Sequence, residues 1–473
     1  MLPLSLAAPA PVPVSGPVSA PAPVVTPAPS LEDERSLEER QLLKGLLPEL
    51  LPSLTNLLAD LGTVAVEDVG DVLSVLKNIK PTARPTNIED ALSKQSSIWA
   101  APTSRTDFFA AVATQVANGL VLDDTLKTAI SGGLAVGENS INNNNPAPPS
   151  SIYPKKNASD APYSLSESAL RRAIYIPSSF TYGAKPPVIF VPGTGAYGGS
   201  NYANNLRKLL TGTSYADPIW LNIPGAMLAD TQKNAEYIAY AINYISAISS
   251  NSTNMAVISW SQGGLDTQWV FTFWPSTQHV VRDHLSIAPD FKGTVLANIL
   301  CLSANSDQAL NLCDPAVIQQ EATSDFVRTL RAHGGDAAYV PTTTFYSAFF
   351  DEIVQPQYGT VASSLIRDAR NVGVSNNEVQ SVCAGRLGGT FYGHAGVLFH
   401  PLTYALVVDA LQHEGPGRLE RIDVPSVCSE YVAPGLDLDD VVATTGLIPV
   451  AGALLLSYPV KMFDEPALMS YAV

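Results

Sequence analysis

The stretch Val257-Ile258-Ser259-Trp260-Ser261-Gln262-Gly263-Gly264 holds the residue types of a nucleophilic site. An apolar strand runs into Ser261, and a helix is predicted from about Gln262. A serine on a sharp strand-to-helix turn, flanked by small residues, is the G-x-S-x-G arrangement. Here Ser259 replaces the first glycine. The competing reading of Ser261 is a helix N-cap, a common place for serine. A serine hydroxyl attacks only when a base takes its proton and a carboxylate orients that base. On this kind of turn the chain order is serine, acid, histidine.

All six histidines follow Ser261. His279 and His284 are expected just ahead of a strand. His333 and His413 sit where helices should end, and His400 precedes Pro401, where one should start. His394 lies in Tyr392-Gly393-His394-Ala395-Gly396, a glycine-flanked loop late in the chain, and is the best base. The strand predicted over Thr343–Ala348 leads into Phe349-Phe350-Asp351-Glu352-Ile353-Val354-Gln355-Pro356. Asp351 is the candidate carboxylate, with a loop Asx-turn as its other reading. Glu352 competes with it, since a shift of one residue points the opposite way.

A second glycine-rich stretch, Val188-Ile189-Phe190-Val191-Pro192-Gly193-Thr194-Gly195-Ala196-Tyr197-Gly198-Gly199, carries G-x-G-x-x-G, the dinucleotide spacing. That reading fails twice. Pro192 separates strand from glycine, and the nearest acid, Asp217, precedes the next strand instead of ending it, where a ribose would lie.

Strands and helices must position these groups, and the chain has material for both. It has 473 residues, 46% hydrophobic and 15% charged, with a net charge of −16. A surface this acidic excludes phosphate-backbone binding, so no nucleic-acid partner is expected. Cys301, Cys313, Cys383 and Cys428 contain no C-x-x-C pair, which argues against zinc or redox chemistry. They fit either two disulfides or four buried thiols. Sequons at Asn157-Ala158-Ser159 and Asn251-Ser252-Thr253 lean toward secretion. Residues 441–460 are uncharged and long enough to span a bilayer. Gly446, Pro449, Gly452 and Pro459 interrupt them, and they read better as an apolar helix over a hydrophobic cleft, with no transmembrane span.

Residues 1–30 are Ala/Pro-rich, a leader or signal remnant. Residues 31–140 read as a small helical region, with Leu43, Leu46, Leu47, Leu50 and Leu51 at helical spacing. Residues 141–157, rich in Asn and Pro, read as a linker. Lys155-Lys156 near its end suggest processing, with everything before about residue 157 a removable pro-region. Residues 158–473 alternate. Strands are expected at Val188–Val191, Pro218–Ile223, Met255–Ser259, Leu285–Ile287 and Thr343–Ala348, with a helix capped by Asp230 running to about Ile248. This alternation predicts an α/β fold with a mostly parallel, doubly wound sheet.

From about Asp160 onward the chain resembles lipase B of the Candida antarctica type. Five stretches carry the likeness: Val191–Gly195, Trp260–Gly264, Ala288–Ala297, Asp351–Gln357 and His394–Gly396. The resemblance implies the α/β-hydrolase fold of secreted fungal lipases, with no cofactor and no metal. It implies a catalytic set of Ser261, Asp351 and His394, and an oxyanion hole of Thr194 and Gln262. It further implies Asp290 and Gln320 beside the acyl pocket and a Cys383–Cys428 disulfide. Val441–Tyr458 matches a mobile apolar helix at the cleft mouth. Gly393 stands where the family has Asp. Cys301 and Cys313 have no family counterpart, so a bridge between them stays open. The function implied is hydrolysis of hydrophobic esters by a secreted monomer, at an oil–water interface. An acyltransferase with the same groups and a noncatalytic lipid carrier are the rivals.

Overall fold

A computed structural model describes residues 69–99, 105–250, 252–301 and 313–473. The expected leader, the leucine-rich stretch Leu43–Leu51 and the sequon residue Asn251 lie outside these. Seven strands form one sheet: β1 (Ile174–Tyr175), β2 (Pro187–Val191), β3 (Asp217–Leu221), β4 (Met255–Trp260), β5 (Val281–Ile287), β6 (Thr342–Tyr346) and β7 (Val374–Glu378). Their order is β1-β3-β2-β4-β5-β6-β7, and only β1 runs antiparallel. The expected α/β fold is present.

This order places the site. From β2 the chain goes one way to β3, then returns to place β4 on the other side. The loops after β2 and β4 therefore diverge and leave a crevice at the strands' carboxyl ends, where open α/β sheets bind ligands. Val191 pairs with Ser259 and Trp260 with Ile287, so these strand ends are nearly level. Thr194 and Ser261 both follow that edge.

Nine of the longer helices matter here. Four precede the sheet: α1 (Val69–Asn78), α2 (Ile88–Ile98), α3 (Arg105–Ala117) and α4 (Asp123–Ile130). The others are α5 (Thr231–Ile248), α6 (Gln262–Phe273), α7 (Pro401–Gln412), α8 (Leu438–Thr445) and α9 (Leu447–Ser457). Asp230 caps α5 by accepting the Gln232 N–H, as expected. The helix α6 presses onto the sheet because its first turn is glycine. A Cβ on Gly263 would come 2.5 Å from the Pro192 carbonyl oxygen and 2.8 Å from that of Val191. A Cβ on Gly264 would come 2.4 Å from Ser286 Oγ.

β2, β4 and β5 run past the expected strands, whereas β3 and β6 begin one residue earlier and end at Leu221 and Tyr346, short of the expected Ile223 and Ala348. His284 does not precede β5; it lies within it, fully buried, with Nε2 2.8 Å from Ser259 Oγ. Arg282-Asp283-His284 is a polar run inside a buried strand. Each finds partners: Arg282 bonds Asp283 and the carbonyls of Ala410 and Leu411, and His284 bonds the serine on β4. His333 and His413 close their helices and His400 caps α7, as expected.

The helices α1, α3 and α4 pack around α9 and share one hydrophobic core with one face of the sheet. Gly452 of α9 faces Val112 and Phe108 of α3. Gln115 Nε2 donates to the Thr445 carbonyl at 2.8 Å, and Trp99 Nε1 donates to Gln115 Oε1 at 3.0 Å. The run Leu438–Ser457 is long and apolar enough to cross a membrane, yet 72% of its most apolar window is buried inside the molecule. The stretch expected to be a loose linker is tied down. Asn145 Nδ2 donates to the carbonyls of Arg171 and Ile174, and Ile152 is buried.

Both disulfides form, Cys383–Cys428 and Cys301–Cys313. The first closes a loop of 45 residues, worth roughly 4 kcal/mol in the chain-entropy picture.

The Gly263 contact yields a test. Its neighbours are backbone atoms and cannot rotate away. Gly263→Ala should lower stability by about 1–3 kcal/mol or more, the range for overpacking, read as a fall in Tm. An unchanged Tm would mean that α6 is free to move off the sheet.

Candidate active site

Ser261 sits between β4 and α6 with φ +55 and ψ −132. A positive φ is costly for a residue with a side chain, by order 1–3 kcal/mol, and is held only where the surroundings dictate it. Here the ladder on one side and the close-packed helix on the other dictate it. The Ser261 side chain makes no capping hydrogen bond, so the plain N-cap reading does not describe it. Ser259 fits where a glycine was expected because its Oγ finds His284 Nε2 and Ser286 Oγ, at 2.8 and 2.9 Å.

The loop after β2 lies against this turn. A Cβ at Gly193 would be 3.0 Å from Ser261 Cβ and 2.7 Å from the Trp260 ring. Thr194 Oγ1 donates to Gln262 Oε1 at 2.7 Å and lies 3.1 Å from Gln320 Oε1. Gln320 Nε2 donates to the same Gln262 oxygen at 3.2 Å. Thr194, Gln262 and Gln320 thus form one polar triangle beside Ser261. The backbone N–H of Gln262 is in the first turn of α6, where intrahelical acceptors are lacking.

His394 and Asp351 meet as the residue order suggested. His394 Nδ1 and Asp351 Oδ2 are 3.0 Å apart, both residues buried. Asp351 Oδ1 accepts the N–H groups of Ile353 and Val354 at 3.0 and 2.8 Å. The Asx-type turn and the histidine contact are therefore one arrangement: the turn fixes the carboxylate that faces the imidazole. Glu352 does point elsewhere. Its Oε2 accepts the backbone N–H of His394 at 2.7 Å. A side chain at Gly393 has no room, since its Cβ would be 2.6 Å from that oxygen. Trp260 supports the same loop; its ring centroid is 5.0 Å from the imidazole and its Nε1 donates to the His394 carbonyl at 3.3 Å.

Among the described residues Nε2 of His394 has no hydrogen-bond partner, and His394 and Ser261 line the same cleft. That cleft is chiefly apolar, with Leu296, Val317, Ile353, Ile448, Ala451 and Leu455 among its walls. Phe108 is also a wall residue. It belongs to α3, in the region for which the sequence offered no role; the apolar run Phe108-Phe109-Ala110-Ala111-Val112 was the signal available. Gln320 and Thr194 reach the cleft, whereas Asp290 is fully buried and does not line it, and among the described residues neither of its carboxylate oxygens has a hydrogen-bond partner.

The electrostatics are those of a dry site. Burial pulls the His394 pKa down, but the Asp351 charge and hydrogen bond, with Glu352 and Asp290, more than offset this and raise it. Burial pushes Glu352 up to about 7, helped by Asp351 and opposed by His394. Burial likewise lifts Asp290 to about 7. Among the described residues no cluster of His, Cys, Asp and Glu could hold a metal ion.

No family model matches the chain. Lipase B of Pseudozyma antarctica is 36% identical over 318 residues, which are 66% of this chain and 87% of that protein. The chain belongs to the lipase B family. It is a serine ester hydrolase of the lipase and esterase kind. The crystal structure of Aspergillus fumigatus lipase B is also similar, with TM-score 0.77 and 44% identity over 90% of this chain and all of that one. Residues 158–473 are only about two thirds of the chain. The second likeness therefore takes in part of the N-terminal helical region of this lipase, which the sequence resemblance had left uncovered.

Proposed function

We propose that this lipase cleaves hydrophobic carboxylic esters through Ser261, His394 and Asp351. The observation that carries the reading is the His394 imidazole. Its Nδ1 is engaged by Asp351, and its unpartnered Nε2 belongs to the cleft that Ser261 lines. With the Nδ1 proton fixed toward Asp351, Nε2 is the basic nitrogen. His394 takes the Ser261 proton as Oγ attacks the ester carbonyl. The tetrahedral oxygen is held by the backbone N–H groups of Thr194 and Gln262 and by the Thr194 hydroxyl. For the last, Oγ1 must turn from Gln262 Oε1 toward the substrate. Such donors are worth about 10²–10³ in rate each. The imidazolium then protonates the leaving alcohol. Water, activated by His394, attacks the acyl-enzyme and releases the acid.

Ester substrates with long acyl chains fit an apolar cleft, and Gln320 lies where it can meet the acyl carbonyl's surroundings. Asp290 acts from behind the wall as a buried polar neighbour, not by touching substrate. The oil–water interface is the proposed working place. Phe349 and Phe350, next to Asp351, are 72% and 38% exposed. Phe349 stacks on exposed Tyr358, while both acids of this loop, Asp351 and Glu352, are buried. This loop thus exposes aromatic rings while keeping its two acids inside, which suits an uncharged lipid surface. Two disulfides favour an oxidising compartment, and secretion is proposed on that ground. We also propose that cutting at Lys155-Lys156 leaves the N-terminal helices in place, because α1, α3 and α4 share the core around α9.

Ser261→Ala should remove turnover of p-nitrophenyl esters, and Asp351→Asn should lower kcat roughly 10³–10⁴-fold. Hydrolysis that survives Ser261→Ala would refute the assignment. The double substitution Phe349→Ser and Phe350→Ser should weaken adsorption to a triacylglycerol emulsion while p-nitrophenyl acetate turnover holds; unchanged adsorption would remove the rim from the account. After limited proteolysis at the dibasic pair, both fragments should co-elute in native size exclusion and separate only under denaturation. Free release of the smaller fragment would contradict the docked arrangement.

A further inference from the structure

We propose that Glu352 is a positioning residue for His394, holding its backbone and supplying a second negative charge to the imidazolium formed in each chemical step. The proposal rests on His394 being the general base, as argued above.

The geometry is specific. Asp351 and Glu352 are neighbours, yet they address the same histidine from different sides. Asp351 meets the ring at Nδ1, and Glu352 meets the main chain at N–H, 2.7 Å away in a buried site. Gly393 makes the second contact possible, because any Cβ there would fall 2.6 and 3.1 Å from the two carboxyl oxygens of Glu352. A carboxyl group placed solely to satisfy one N–H would be an expensive choice in a buried site; an amide or carbonyl does that without a charge to bury. Its use makes sense if the charge acts. The groups whose charges reach His394 are Asp351, Glu352 and Asp290, and those reaching Glu352 are Asp351 and His394.

The sign of the effect follows. Burial and Asp351 lift Glu352 to about 7. Below that pH it is mostly protonated and neutral, and electrically resembles glutamine. Above it, Glu352 is an anion beside the imidazole and favours the imidazolium. Glu352 exchanges its proton with solvent and takes none from the substrate, so the chemical steps keep their proton balance: Ser261 to His394 to the leaving alcohol.

The test compares Glu352→Gln with the full-length wild type on a soluble p-nitrophenyl ester from pH 5.5 to 9. The ratio of wild-type to variant kcat/KM should be near one or below at pH 6 and rise through pH 7 to about 5–10 by pH 8.5. Glu352→Asp should restore part of the rise. Gly393→Ala, which crowds the carboxyl without removing it, should lower kcat/KM at pH 8.5 more than at pH 6. A ratio that is flat across the range, at one or at any other value, would overturn the proposal, because a merely structural loss does not follow the ionisation of Glu352. Failure of the catalytic assignment itself would look different: His394→Ala or Ser261→Ala would keep turning over the ester.

Discussion

Everything at this site depends on the close approach of one helix to the ends of two strands. Gly263 and Gly264 let α6 sit against Val191, Pro192 and Ser286 with no room for a side chain. That contact forces the turn before the helix, and the turn forces Ser261 to φ +55. The same contact brings the loop after β2 within a methyl group's distance of the serine. The proposed nucleophile and the proposed backbone N–H donors of Thr194 and Gln262 are therefore set by backbone packing, before any side chain chooses a rotamer. Their geometry costs no reorganisation when charge develops, which is where electrostatic catalysis gains most.

A second constraint is charge in a dry place. The cleft is apolar, and His394, Asp351, Glu352 and Asp290 are all buried. An imidazolium formed there needs counter-charge, since water cannot supply it. Asp351 is organised for this by two backbone N–H groups from its own turn. Burial pushes Glu352 and Asp290 up into the neutral range. The two adjacent carboxyl groups differ in what they face: Asp351 meets the imidazole ring and Glu352 the main chain of the same histidine.

The main strands, the serine turn and the Asp351–His394 pair were legible in the sequence. Apolar runs end in recognisable turns, and the order serine, acid, histidine leaves few choices. What escaped depended on contacts between distant segments. β7, Val374-Ser375-Asn376-Asn377-Glu378, has no apolar pattern; its ladder with β6 and the Asn377 bond to the Thr344 carbonyl make it a strand. The early start of β5 rests on partners from β4 and α7. Asp351 was preferred to Glu352 from the sequence, and the turn shows the physical reason: its Oδ1 is tied to two backbone N–H groups while Oδ2 faces His394. The place of Phe108 in the cleft wall came from packing across more than three hundred residues of chain, which periodicity cannot read.

Ser261 is proposed to carry the acyl group, at a turn that holds it against both the β2 loop and the His394 cleft. An alkyl p-nitrophenyl phosphonate, which traps an activated serine as a stable adduct, tests this most directly. Intact mass should show one adduct per chain, released p-nitrophenol should match it, and peptide mapping should place it on Ser261. Labelling of another residue, or continued ester hydrolysis by fully labelled protein, would contradict the account.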